Sequence, residues 1–307
     1  MNALVIDRLG GPEVYRIADM PVPEPEKGEV QVRVDGAGMN PVDWKIREGL
    51  FTQSTPHKFP AVTLREFSGV ITKLGPGVKH YSIGDPVYGI TECGAAAEYT
   101  VARASSIGPR PKSLHAADAA VVPLAGMTAW QALFDYGKLK SGQRVLIHAA
   151  AGGVGTYAVQ LAKWAGAYVI GTCSTQHADA VWRLGADQVI DYHRDPFEKV
   201  IEPPVDLVLH SIGQDQVAAS IQTLRPGGIL VSISADPMEA QAAAQGKIAV
   251  QFMMQPNTDH LARLSELIDS GKLRPVITAV VPLKEARGVM TELQKGHTLG
   301  KYGVRLH

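Results

Sequence analysis

Residues 145–166 read VLIHAAAGGVGTYAVQLAKWAG, and this stretch limits the architecture more than any other. It opens with a short apolar run, as a buried parallel strand does. A turn of alanine and glycine comes next, and then Val154, Tyr157, Ala158, Leu161, Ala162 and Ala165 recur at helical spacing. A strand, a glycine turn and a helix in that order form a dinucleotide-binding unit when three small residues are correctly placed. One makes the tight bend, one lets backbone approach a pyrophosphate, and one lets helix pack on strand. Gly152 and Gly155 suit the second and third roles, while Ala150 stands where the first glycine is usual. Ala151, Gly153 and Val154 complete the turn, and a helix beginning near Val154 would present free amides and partial positive charge to phosphate. Glycines also serve plain turns, so the strand–turn–helix context carries this reading.

The sequence on either side agrees. AYVIGTC (167–173), DQVI (187–190), DLVLHSI (206–212), GGILVSIS (227–234) and IAVQFMM (248–254) are strand candidates separated by helical segments. That alternation implies βαβ units, and residues 116–254 are expected to form a doubly wound parallel sheet. The front of the chain is punctuated differently. Eleven of its twenty prolines lie at or before Pro111, and Val30, Val32 and Val34 repeat with period two. Residues 1–115 therefore read as a turn-rich β domain. NTDHLARLSELIDSG (257–271) reads as a helix with an Asn or Thr cap, and the tail LGKYGVRLH returns to the front domain's texture. Residues 255–307 are assigned to complete that domain.

The choice of nucleotide turns on GTCSTQH (171–177). An NAD-specific site usually holds an acid about 20 residues beyond the glycines, and here none appears until Asp179. Thr172 and Ser174 in this segment, with Thr175, offer hydroxyls in its place. His177 and Tyr192 are further candidate contacts, though Ser174 and His177 also suit plain solvent exposure. The missing acid favours NADPH. Ser211, Gly213 and Ser232 follow strands at the sheet's carboxyl edge, where open α/β folds bind ligands.

Thirty basic residues balance thirty acidic ones, so nucleic-acid binding by a basic face is not expected. Two cysteines, Cys93 and Cys173, supply neither a disulfide framework nor a thiolate zinc cluster. With no apolar run near a membrane span and no signal-peptide core in MNALVIDRLG, the expectation is a cytoplasmic protein. No Ser-His-Asp spacing, HExxH or CxxC appears; His57, His80, His115 and His148 read as structural or exposed, and Cys93 as a reactive or bystander thiol.

GAGMNPVDWKIREG, FPAVTLREFSGVITKLGPGV, SIGDPVYG, PLAGMTAWQAL, the glycine turn and the closing LGK occur in one order through almost the whole chain. In this the chain resembles the zinc-independent quinone oxidoreductases of the medium-chain dehydrogenase/reductase superfamily. The resemblance implies a GroES-like β domain around a Rossmann domain. The zinc-ligand positions of metal-dependent relatives fall on Asn40, Arg65 and Leu124, which are not a zinc set. Glu66 matches the family's acidic position. Where relatives read LGxDxxG, this chain has Thr63-Leu64-Arg65-Glu66-Phe67-Ser68-Gly69. Asn40, Asp43 and Lys45, and Thr128 in AGMTAW, match segments beside the nicotinamide or substrate; Asp43 and Lys45 also allow a surface ion pair. Phe252 and Met253 match a nicotinamide-pocket segment or serve as core, and Lys301 of the LGK is placed with the cofactor contacts. The resemblance further implies NADPH-dependent reduction of quinones or α,β-unsaturated carbonyls in a homodimer. A catalytically weak NADPH-binding sensor, structural or RNA-binding protein is the alternative.

Overall fold

A computed structural model describes residues 1–51, 58–92 and 94–307, so His57 and Cys93 lie outside the described residues. The chain divides into two compact units. The first comprises Met1–Leu124, Pro256–Gly271 and Ile277–His307, and the second Ala125–Gln255 and Lys272–Val276. Residues 116–124, expected in the second domain, fall in the first unit, and 255 and 272–276, expected in the first, fall in the second.

The second unit is built on a six-stranded sheet whose neighbouring strands are all parallel. In spatial order these are Gln188–Asp191, Tyr168–Cys173, Arg144–Ile147, Val205–His210, Leu224–Ser232 and Ile248–Gln251. Numbered along the chain, that order is 3-2-1-4-5-6, the doubly wound arrangement in which direction reverses between the first and fourth strands. Central strands are buried on both faces, which is why they read as continuous apolar runs; Val145, Leu146, Ile147 and Val208 have no exposure. The helix Gly153–Trp164 starts one residue before the expected Val154 and buries Tyr157, Ala158, Leu161 and Ala162. The sixth strand is shorter than its apolar run, because Phe252 leaves it to stack on Tyr136 at 4.5 Å.

In the first unit the long strand Glu29–Met39 pairs antiparallel with Glu66–Leu74, Tyr99–Arg103 and the tail strand Lys301–Arg305. Val30, Val32 and Val34 are fully buried, as their alternation requires. The tail thus joins this sheet, as its texture suggests. The helix Thr258–Asp269 is capped by Asn257, whose side chain accepts the His260 amide at 2.9 Å, and it joins this same unit. Register positions the chemistry: Gly38 lies opposite Glu66 and Met39 opposite Tyr302. Three strand ends therefore bring Asn40, Glu66 and Lys301 together. No helix among the described residues is long and apolar enough to cross a membrane.

Candidate active site

Asn40 ends its strand and caps the helix Pro41–Arg47. Its side-chain amide donates to Glu66 Oε1 at 2.8 Å, and its carbonyl oxygen accepts from the Lys301 ammonium. Lys301 Nζ also donates to Glu66 Oε1 at 2.7 Å and to the Met39 carbonyl at 2.9 Å. The other carboxylate oxygen of Glu66 accepts the Leu124 amide at 2.8 Å. Asn40, Glu66 and Lys301 are all buried. Room for the carboxylate exists because residue 38 is glycine: a Cβ there would collide with Glu66 Oε1. An ammonium has three donors, and those of Lys301 are all taken inside this unit. The Lys301 ammonium is thereby held against Asn40, Glu66 and the Met39 carbonyl.

Two of the positions that hold zinc in metal-dependent relatives, Asn40 and Leu124, are thus tied together by the Glu66 carboxylate with an internal cation beside it. Among the described residues no three His, Cys, Asp or Glu side chains converge as a metal site. The donor set at these positions, an amide, a backbone N–H and one carboxylate already paired with an ammonium, does not fit zinc. Leu64, where relatives carry the glycine of LGxDxxG, has a left-handed backbone, with φ of 62°.

Asp43 is buried and faces inward. One carboxylate oxygen accepts the Asn40 amide at 2.7 Å, closing the helix N-terminus, while the other is buried without a hydrogen-bond partner. Burial pushes this carboxyl up to about 7, opposed by the Asn40 hydrogen bond and reinforced by the nearby Glu66 charge; Lys301 and Arg65 pull it back down. The ion pair with Lys45 does not form, since residues two apart on a helix do not face each other. Lys45 is half-buried with its ammonium 5.7 Å from the Trp44 ring centre. The far end of this helix is anchored by Arg47, whose guanidinium donates to the Gly10 carbonyl at 3.0 Å and to Gln294 at 2.9 Å.

In the second unit the glycine turn lies at the sheet's reversal point. Gly155 is where helix meets strand, and a Cβ there would collide with the Ala149 carbonyl. Gly152 caps the helix without any side chain, and a Cβ there would meet only the Ala149 oxygen at 3.2 Å. Ala149 itself takes the left-handed bend, with φ of 47°. Ala151 is buried beneath the turn, and Gly153 and Val154 open the helix. First-turn amides have no intrahelical acceptor. This surface, backbone N–H groups with no side chain in front of them, fits a pyrophosphate.

Beneath the turn runs a buried chain of polar groups. Thr172 Oγ1 is 3.1 Å from His148 Nδ1, and His148 Nε2 is 3.0 Å from Ser220 Oγ. Ser220 Oγ is 3.1 Å from His210 Nδ1, and His210 Nε2 is 3.2 Å from the Gly213 carbonyl. Burial drives His148 down to about 3 and also lowers His210, so both rings are neutral. One proton assignment then satisfies the chain. Thr172 donates to His148, His148 to Ser220, Ser220 to His210 (sharing its hydrogen with the Gln216 carbonyl), and His210 to Gly213. Ser211 Oγ donates to the His148 carbonyl at 2.8 Å, and Ser232 Oγ to the Ala235 carbonyl at 2.6 Å, so both hydroxyls shape turns at this edge. Ser174 and His177 are half-buried, Tyr192 is exposed against His193, and Met253 is exposed. Thr128 is buried in the helix Pro123–Trp130.

Residues 26–112 match the alcohol dehydrogenase GroES-like domain, and residues 184–302 match a model described as zinc-binding dehydrogenase. An Arabidopsis thaliana chloroplast envelope quinone oxidoreductase homolog is 33% identical over 98% of this chain and 97% of its own length. The chain belongs to the zinc-independent quinone oxidoreductases of the medium-chain dehydrogenase/reductase superfamily. Another relative, the NADPH-dependent alkenal/one oxidoreductase of Arabidopsis thaliana chloroplasts, is 32% identical over 99% of this chain and 79% of its own length. The solved quinone oxidoreductase of Coxiella burnetii superposes with a TM-score of 0.94 at 34% identity, covering 100% of this chain and 99% of that one. Sequence pattern alone singles out the turn and Ser174, and the family resemblance adds Asn40. It misses the Glu66–Lys301 pair and the His148–His210 chain, whose members are joined only in the fold.

Proposed function

We propose that this protein is an NADPH-dependent reductase of quinones and other α,β-unsaturated carbonyls that works without zinc. The observation that carries the reading is the open glycine turn at the reversal point of a 3-2-1-4-5-6 sheet, in a family whose relatives include quinone and alkenal/one oxidoreductases. The amides of Gly153, Val154 and Gly155 would receive the pyrophosphate, and Ser174 the 2′-phosphate. When bound, NADPH supplies the hydride that reduces an electrophilic carbon. Asn40 is a positioning residue, because Glu66 and Lys301 already hold its side chain, and it fixes the start of the helix bearing Lys45. Asp43 secures the same helix end. Lys45 is the candidate to donate to a developing oxygen charge. Water supplies the proton.

We further place the protein in the cytoplasm as a homodimer. The sixth strand, Ile248–Gln251, is a sheet edge with Ile248 half exposed, which supports pairing with a second copy. Fractionation of the native host and light scattering test the two.

The function is tested by NADPH oxidation with a panel of small quinones and enones in the presence of a chelator, where turnover is expected to persist. Tight NADPH binding without turnover on the whole panel would overturn it. Lys45→Ala should slow turnover about ten- to a thousandfold and weaken NADPH binding, leaving the shape of the pH profile unchanged. Loss of a titrating limb would make Lys45 a general acid instead.

A further inference from the structure

The segment assigned to the 2′-phosphate reads as free of acids, and along the chain it is. The fold brings one in. Asp191 ends the strand Gln188–Asp191 and pairs in register with Cys173, the last residue of the neighbouring strand and the one just before Ser174. Its Oδ2 accepts the hydroxyl of Thr175, and its Oδ1 accepts the His193 amide at 3.0 Å. Those two hydrogen bonds, Thr175 first, hold its carboxyl below the usual range, so it is ionised at neutral pH. The charge is felt locally: with burial, it helps raise both the Cys173 thiol and the Tyr192 phenol. His193 and Arg194 are the basic residues that face it and add to this lowering. A threonine has a single hydroxyl hydrogen, so a Thr175 that donates to Asp191 cannot donate to a phosphate.

We propose that Asp191 is a specificity-determining residue of the dinucleotide site: it withdraws the Thr175 hydroxyl and sets negative charge beside the ribose, narrowing the preference for NADPH so that NADH is also used. The inference rests on the dinucleotide reading above. A carboxylate a few Å from a phosphate in water changes an equilibrium only several-fold, and salt screens it.

The experiment titrates NADPH and NADH against the full chain and against Asp191→Asn, which removes the charge and keeps the shape. The Kd for NADPH is expected to fall about three- to tenfold, and that for NADH to stay within about twofold. The gain should shrink at 0.5 M salt, roughly three-fold or more above physiological ionic strength. Asp191→Ala should gain further by freeing Thr175, and Asp191→Ala/Thr175→Ala should lose that increment. Equal shifts for both cofactors, no shift, or weaker NADPH binding in Asp191→Asn at an unchanged melting temperature would overturn the proposal. A wild-type chain that binds neither cofactor would instead sink the dinucleotide reading itself.

Discussion

Beneath the first unit's Asn40 lies a full charge pair, Lys301 against Glu66, with neither side chain more than 4% exposed. Beneath the second unit's glycine turn lies a chain of comparable length made of two hydroxyls and two uncharged imidazoles. Both are buried polar networks, and each satisfies its hydrogen bonds, but they do so under different constraints. A buried pair holds only while both charges are present, since removal of one strands the other in a medium that solvates it poorly. A neutral chain holds only while neither ring gains a proton, because each imidazole must offer one donor and one acceptor. The contrast shows that burial by itself does not decide how a polar cluster responds to mutation or pH; the charge state that burial selects does.

The strongest way to break the comparison is Lys301→Met, which leaves Glu66 buried and unpaired. Denaturant unfolding at pH 7 should show a loss of about 3–5 kcal/mol. Adding Glu66→Gln should recover a large part of it, whereas no recovery would mean that the cluster acts by shape and not by charge.

Acid sharpens the comparison from the other side. The His148 pKa is depressed in the folded state to about 3, so its contribution is complete above the ordinary histidine value and is lost as pH falls from about 6.5 toward 3. The opposite sign belongs to Asp43, whose folded value is raised to about 7. Its contribution is complete below the ordinary aspartate value and is lost as pH rises from about 4 to 7. His148→Gln should therefore lose less stability than wild type between pH 6.5 and 4, by roughly 2–3 kcal/mol at about 1.4 kcal/mol per unit. Asp43→Asn keeps the acceptor for the Asn40 amide and removes the buried charge. Relative to wild type it should gain roughly 1–3 kcal/mol between pH 4 and 8. Parallel stability curves for either variant and the wild type would show that the group does not titrate as its burial demands.

How far these features are legible in the sequence depends on how local their causes are. The glycine turn, the parallel strands and the helix cap at Asn257 come from neighbouring residues, and period and turn chemistry display them. The charge pair does not: Lys301 lies 261 positions from Asn40, and only strand register brings them together. The same holds for His148 and Ser220, 72 positions apart, and for Asp191 against Thr175, 16 apart. Asp43 and Lys45 mislead for a different reason. Their proximity in sequence suggests a pair, but the helix between them turns one inward and the other away. The strand after Lys247 ends sooner than its apolar run implies, because such a run does not record where Phe252 departs to meet Tyr136.

Leu64 adds a point about reading motifs. Compared letter by letter with LGxDxxG, this position is a mismatch, a bulky apolar residue in place of glycine. By backbone torsion Leu64 takes left-handed angles, which glycine adopts freely and leucine only at a cost of roughly 1–2 kcal/mol. Its side chain is buried in the first unit's core, and full burial of a leucine contributes about the same amount in the opposite sense. Two residues further on, Glu66 still arrives at the end of its strand facing Gly38.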